Sequence, residues 1–331
     1  MQLALRIAPQ HSAQYADMAA RLAAPELLAS PLGRHVRHVE SVRLGAGDYL
    51  LAELEPTADE ATLAGVLGRL GATGEAFEHV VSLDGREGPF LRPLALERPE
   101  PLPRALAAAR RYKGKTSEVF TRVLLNLAIF AGAHAERPRL RVVDPLAGGG
   151  TTLFVALVAG HDAFGLEQTR RDVETTAAFV RQFCREERIP HRELRVAKGD
   201  RRFTFELGPR TEPRTLVLAE GDARRADEEL ATVPGGARFH AVAADLPYGI
   251  QHRSGPLDLL AAALPAWERL LAPGGALALA WDATRLKRDA VVAAVRDGCG
   301  LTVREEAPYD ALAHRVDRVI KERDVVVATR A

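Results

Sequence analysis

Apolar positions recur along the chain with two periods, and the order in which the periods alternate predicts its elements. Leu3 to Ile7 reads as a strand, and Ala13 to Leu28 carries Tyr15, Met18, Leu22 and Leu27 at helical spacing. Val36 to Leu44 and Tyr49 to Leu54 are strand-like runs around the turn Gly45-Ala46-Gly47-Asp48. Thr57-Ala58-Asp59-Glu60 is a helix start, Leu70 ends the periodic run, and Gly71 stops it. Phe77 to Leu83 is one more strand.

That βαββαβ order predicts a ferredoxin-like α+β domain over residues 1–97. Pro99, Pro101 and Pro103 then mark an extended boundary, and residues 98–115 read as a linker, Pro-rich and then basic. Thr116-Ser117-Glu118 caps a helix from Val119 to about Ala133, with Phe120, Val123, Leu124, Leu127 and Phe130 on its apolar side. From there strands and helices alternate. Strands are expected at Leu140–Val143, Ala163–Glu167, Leu216–Ala223, Phe239–Ala244 and Ala276–Trp281, with helices at Leu153–Val158, Gln168–Arg185, Leu259–Leu271 and Ala290–Arg296. Leu301–Glu305 and Arg318–Thr329 close the pattern as an antiparallel pair. This predicts a doubly wound, mostly parallel α/β sheet of seven strands over residues 116–331. Arg192–Val196 and Arg202–Leu207, around Lys198-Gly199-Asp200, read as a hairpin inserted near residues 191–208.

Charge refines this division. The net charge of +1 over 331 residues exerts no global pull toward nucleic acid. Residues 1–97 hold eight Arg and no Lys against thirteen Asp and Glu, so this part is acidic. The basic residues concentrate elsewhere. Five lie from Arg104 to Lys115 with no acid among them, four of them in Arg110-Arg111-Tyr112-Lys113-Gly114-Lys115. Ten Lys and Arg face six acids between Arg181 and Arg214. Both segments are candidate phosphate-binding surfaces, through Arg110, Arg111, Lys113 and Lys115 and through Arg201 and Arg202. A solvated linker and a charge-protected edge hairpin are equally consistent with these residues. Two cysteines, Cys184 and Cys299, support neither a disulfide framework nor a cysteine zinc site, and His252 and His314 lack metal-ligand spacing. There is no leader and no apolar run of about 18 residues, so a cytoplasmic protein is expected.

The chemistry concentrates in Val142-Val143-Asp144-Pro145-Leu146-Ala147-Gly148-Gly149-Gly150-Thr151-Thr152. A buried strand runs into a glycine turn and then an apolar helix, with Thr151 or Thr152 as a candidate cap. Free N–H groups at such a helix start favour a polar or anionic ligand group. No Gly-Lys-Ser/Thr follows, so this is not a phosphate-binding P-loop. Glu167 ends the next strand, 23 residues after Asp144, where a carboxylate would hold a ribose hydroxyl pair. Asp245-Leu246-Pro247-Tyr248-Gly249 follows a further buried strand and suits capture of a flat, amine-bearing ring.

Together these motifs resemble the class I S-adenosylmethionine (SAM) dependent methyltransferases that act on exocyclic amines, whose signature is (D/N/S)-P-P-(Y/F/W). Within that group they look most like the THUMP-associated RNA guanosine-N2 methyltransferases, over roughly residues 110–331. The resemblance implies SAM as cofactor, held by Asp144, Pro145, Ala147, Gly148, Gly150, Thr151 and Glu167. It also implies that Asp222 and Ala223 meet the adenine; Asp222 is equally placed as a helix cap. Asp245, Leu246, Pro247 and Tyr248 would hold the substrate base, with tRNA or other RNA as partner and no metal. Leu246 stands where the signature has proline. Its carbonyl remains available, and leucine here mildly favours guanine. A complete THUMP domain is not identifiable in residues 1–97, which are as consistent with a structural or dimer-forming role as with facing RNA. The alternatives are a DNA amino-methyltransferase, a protein glutamine amide methyltransferase, and a non-catalytic SAM- or RNA-binding protein.

Overall fold

A computed structural model describes residues 1–9, 13–55, 59–98, 100–112, 114–194, 201–247, 255–316 and 321–331. The N-terminal part contains β1 (Gln2–Ile7), α1 (Ala13–Ala29), β2 (Val36–Leu44), β3 (Gly47–Leu54), α2 (Glu60–Arg69), β4 (Thr73–Leu83) and β5 (Arg86–Pro93). Its sheet runs β2-β3-β1-β4-β5 with every pair antiparallel. Asp59 caps α2 by accepting the Thr62 N–H at 2.8 Å; Thr57 and Ala58 lie outside the described residues. The fifth strand is an addition to the expected order. It carries Pro89 and Pro93, which an edge strand tolerates because one side of its backbone needs no ladder partner.

Helices α3 (Ala105–Ala109) and α4 (Glu118–Ala131) lead into the large sheet. It is assembled from β6 (Arg141–Asp144), α5 (Thr151–Val158), β7 (Asp162–Glu167), α6 (Arg170–Glu186), β8 (His191–Leu194), β9 (Arg202–Leu207), β10 (Arg214–Glu220) and α7 (Ala226–Glu229). There follow β11 (Phe239–Asp245), α8 (Pro256–Leu270), β12 (Leu271–Asp282), α9 (Arg288–Gly298), β13 (Thr302–Val303), β14 (His314–Arg315) and β15 (Glu322–Thr329). The order is β13-β15-β12-β11-β6-β7-β10-β9-β8, with β14 paired to β15, in a Rossmann-like α/β arrangement. β10, β7, β6, β11 and β12 are parallel neighbours, and β15 returns antiparallel against β12.

Among the described residues ten strands therefore stand where seven are expected from the sequence. The difference lies at the edges. The inserted hairpin β8–β9 docks on β10 and widens the sheet, while two-residue β14 adds beside β15. The hairpin's tip, residues 195–200 including Lys198-Gly199-Asp200, lies outside the described residues, as do residues 317–320 before β15.

Helix α4 ties the two parts together. Ten of its fourteen residues are buried, from Phe120 to Phe130, the pattern of a helix covered on most sides. One apolar cluster runs from Leu3, Leu22 and Leu67 through Leu124 to Phe154 and Val327. At the seam, the fully buried Glu26 accepts N–H groups from Gly71 at 2.8 Å and Ala72 at 2.9 Å, and the Asn126 amide at 2.7 Å. Burial raises its pKa above the ordinary carboxylate value. Arg122 of α4 donates back to the Arg69 carbonyl at 3.1 Å.

Candidate active site

Parallel register brings the acidic strand ends to one edge. Asp144 sits opposite Gly165, Glu167 opposite Glu220, and Asp245 opposite Ala280. The chain reverses its direction of winding between β6 and β11, and ligands in open α/β sheets bind at such a switch point, outside the strands' carboxyl ends. A cleft of about 810 Å³ opens there, lined by Asp144 to Gly149, Glu167, Asp222 to Arg224, and Asp245 to Pro247.

The turn after β6 is held from both sides. Ala147 N–H donates to the Leu166 carbonyl at 2.9 Å, and Gly148 N–H to Glu167 Oε2 at 3.1 Å. Gly148 (φ 48°) and Gly150 (φ 87°) take left-handed conformations that a side chain would strain. Gly150, rather than Thr151 or Thr152, occupies the cap position of α5, because the turn must leave β6 through a positive φ; both threonines are buried in the helix's first turn. Above the turn, the Tyr112 ring lies so close to Gly149 that a Cβ there would sit 2.2 Å from its nearest ring carbon. The Tyr112 hydroxyl meets Thr151 Oγ1 at 2.6 Å.

Asp144 is 3% exposed, and burial pushes its carboxyl up to about 7. The Thr152 hydroxyl and the Leu146 N–H, at 2.9 Å, pull the other way, while the charges of Asp245 and Glu167 add to the rise. Glu167 also accepts the Thr169 N–H at 2.9 Å. Asp222 caps the short turn at Ala223–Arg225 and is bridged by Arg224 at 2.5 Å, which lowers its pKa. Its capping role is thus realised, and a ligand amine would share the carboxylate with Arg224. Asp245 Oδ2 accepts the Thr116 hydroxyl at 2.9 Å and stands 3.4 Å from Arg323. Leu246 is 1% exposed and its N–H is bonded to the Ala280 carbonyl at 2.8 Å. Tyr248, expected to face the base, lies outside the described residues, as does His252.

The basic residues read as phosphate contacts divide differently. Arg110 is half-buried, donating to the Gly149 carbonyl at 2.5 Å and to Thr176 Oγ1. Lys115 bonds the Ala107 carbonyl at 2.9 Å and the Ala108 carbonyl at 3.0 Å and pairs with Glu118. These two brace the glycine turn and the start of α4. Arg111 is exposed, and Lys113 lies outside the described residues. On the hairpin, Arg201 is exposed and 3.7 Å from Glu220, while Arg202 is partly buried. Among the described residues no cluster of His, Cys, Asp and Glu is arranged to hold a metal, and no helix is long and apolar enough to cross a membrane. His314 is buried beside Phe120, its pKa pushed down to about 4 by desolvation, so it is neutral at physiological pH.

Thr116 and Arg323 are the contacts of Asp245 that sequence reasoning missed. Thr116 is visible locally only as part of a helix cap. Arg323 carries no local signal, since it meets Asp245 through the return of β15 along β12.

No protein-family description matches the chain, and no curated protein matches it. Its neighbours among solved structures include SAM-dependent methyltransferases. TrmN from Thermus thermophilus aligns over 89% of this chain and 60% of its own length, at 19% identity and a TM-score of 0.41. The 16S rRNA N2 G1207 methyltransferase RsmC from T. thermophilus, solved with AdoMet and guanosine, aligns over 90% and 59%, at 16% identity and 0.40. A TehB-like SAM-dependent methyltransferase from Corynebacterium glutamicum aligns over 69% and 94%, at 16% and 0.37. The chain thus spans about 60% of the length of the two Thermus proteins. At these TM-scores the likenesses assign nothing by themselves, and the site's own residues carry the case.

Proposed function

We propose that this chain is a SAM-dependent methyltransferase acting on the exocyclic amine of a nucleobase, the guanine 2-amino group in tRNA or another RNA. The observation that carries the proposal is the placement of Asp245-Leu246-Pro247 at the carboxyl end of β11, in the same cleft as Asp144, the glycine turn and Glu167. Five carboxylates line that cleft (Asp144, Glu167, Asp172, Asp222 and Asp245). Such a wall favours a ligand bearing positive charge, and SAM carries a sulfonium and an ammonium. The glycine turn leaves room where side chains would intrude. In this reading Glu167 takes the ribose hydroxyls, Asp222 and Ala223 the adenine, and Asp144 with the Gly148–Gly150 turn the methionine part.

When bound, SAM supplies a methyl group already activated by its sulfonium. What this chain must add is position. An aromatic amine is a poor nucleophile because its lone pair is delocalised into the ring. The Asp245 carboxylate and the Leu246 carbonyl are the two acceptors proposed for its hydrogens, favouring a pyramidal nitrogen with its lone pair aimed along one line. Such orientation contributes several kcal/mol to rate acceleration, and acceptors fixed in advance add to it. Pro247 fixes the backbone at this point. A base stacked on Tyr248 would gain about 1–3 kcal/mol by analogy with single-strand binders, and a paired base would first have to leave its stack.

The test is nucleoside mass spectrometry of bulk tRNA incubated with SAM and either wild-type protein or Asp245→Ala. Wild type is expected to add a methyl group to guanosine. The variant is expected to lose transfer while keeping its affinity for SAM, since the contacts to the amine act on the chemical step. Near-wild-type turnover by Asp245→Ala removes the catalytic assignment. Methylation of duplex DNA or of a glutamine peptide, with none on tRNA, removes the substrate assignment alone.

A further inference from the structure

Arg323 is 4% exposed, deeper than a guanidinium usually lies. It stands on β15, opposite Asp282 of β12 and His314 of β14 in the strand registers. Its guanidinium lies 4.5 Å from the centroid of the Phe120 ring. His314 flanks the same ring and is neutral, so it contributes no opposing charge. A cation taken this far from water requires compensation. Asp245, its side chain 15% exposed, stands 3.4 Å away and pairs with it.

At 3.4 Å the pair acts through charge more than through a short hydrogen bond, which for such groups would be nearer 2.8 Å. Thr116 supplies the short bond, at 2.9 Å. Both contacts fall on one oxygen, Oδ2, and come from opposite ends of the domain: Thr116 just before α4, Arg323 in its last strand. Two fixed partners on one oxygen determine how the carboxylate is turned. Asp245 lines the same cleft as Asp144 and Glu167, so a cation behind it offsets charge in an acidic wall.

We propose that Arg323 is a positioning residue for Asp245, compensating its charge from behind the cleft and, with Thr116, fixing the rotation in which it accepts the substrate amine. The inference rests on the methyltransferase reading of the same cleft. It explains why a strand far along the chain carries a buried arginine directly behind the proposed acceptor. Arg323 is not among the residues that line the cleft, so its influence should appear in turnover and not in binding.

The experiment is a double-mutant cycle on the full chain with Arg323→Met, Asp245→Asn and the pair together, with Arg323→Lys as the conservative variant. The first readout needs no substrate. Arg323→Met is expected to lower Tm when residue 245 is Asp, and by at least about 2 °C less when it is Asn. Equal losses in both backgrounds overturn the pairing. Should Arg323→Met fail to fold, recovery of folding in the double variant supports the pairing, and failure of both variants leaves the decision to Arg323→Lys measured in the same two backgrounds. The second readout is transfer of labelled methyl from SAM to bulk tRNA. Arg323→Met is expected to cut kcat by about 10- to 100-fold, with KM for tRNA and Kd for SAM within about twofold of wild type. Arg323→Lys should recover part of kcat. A wild-type kcat in Arg323→Met, alongside an inactive Asp245→Ala, overturns the positioning role and leaves the methyltransferase reading intact. Absence of transfer by the wild-type protein fails that reading while the stability cycle still decides the pair.

Discussion

Cofactor binding should release a proton from Asp144. In the free protein, burial holds this carboxyl at about 7, far above the usual 3.8. The sign follows from the raised value: below about pH 7 the folded protein keeps the group protonated and neutral, and above it the group ionises against its desolvation cost. A ligand with a sulfonium and an ammonium prefers the ionised form. If binding requires that form, the apparent Kd is the intrinsic value divided by the ionised fraction. That fraction is about 0.1 at pH 6 and about 0.9 at pH 8, so affinity for SAM should rise about tenfold between them and level off above. Isothermal titration at pH 7 in phosphate and in Tris should show about half a proton released per SAM bound. Asp144→Asn supplies the control, since the ligand's own ammonium titrates equally against both proteins. The variant should bind with a flatter pH profile and, at pH 8, about 1–3 kcal/mol more weakly, the scale of a charge-assisted contact. Identical pH profiles for wild type and Asp144→Asn, with buffer-independent heats, would refute the linkage.

Glu167→Ala should weaken SAM by about 1–3 kcal/mol in calorimetry; Glu167→Gln, still able to accept the Gly148 N–H, separates ribose contact from support of the turn. Gly149→Ala should force the Tyr112 ring away and lower SAM affinity, visible as a changed tyrosine signal on titration. Arg111→Ala should flatten the salt dependence of tRNA binding by about 0.7 in a filter-binding titration. Arg110→Ala should instead loosen the turn and weaken SAM, because Arg110 is bonded to Gly149; a larger effect on the salt slope than on SAM affinity would return it to the RNA surface.

What could be read from the sequence was local. The run from Asp144 to Thr152 announces strand, turn and helix because all three lie within a dozen residues, and Glu167 and Asp245 close their own strands. Alternation of strands and helices was enough to expect the parallel sheet. The fifth N-terminal strand was hidden by Gly88, Pro89 and Pro93, residues that argue against a strand except at an edge. Arg110 read as a phosphate contact because it stands in a run of cations with no acid among them; its partner Thr176 lies 66 residues away. Arg323 and Asp245 are brought together only by the return of β15 along β12, a pairing that no local pattern encodes.

The Glu26 seam changes what unfolding this protein means. Gly71, Ala72 and Asn126 all spend their N–H groups on one carboxylate, so separating the N-terminal part from α4 strands three donors and an acidic side chain at once. Opening that seam also bares the apolar cluster shared by Leu22, Leu67 and Leu124. Neither side can melt alone without bearing the exposure of both, and a calorimetric scan of the full chain should show a single cooperative transition. The same helix starts beside Thr116, the residue that touches Asp245, so a fault introduced at Glu26 is expected to reach the cleft through α4. Inherited or engineered changes in the acidic N-terminal part would then register as altered turnover, at a distance from every residue that contacts a ligand.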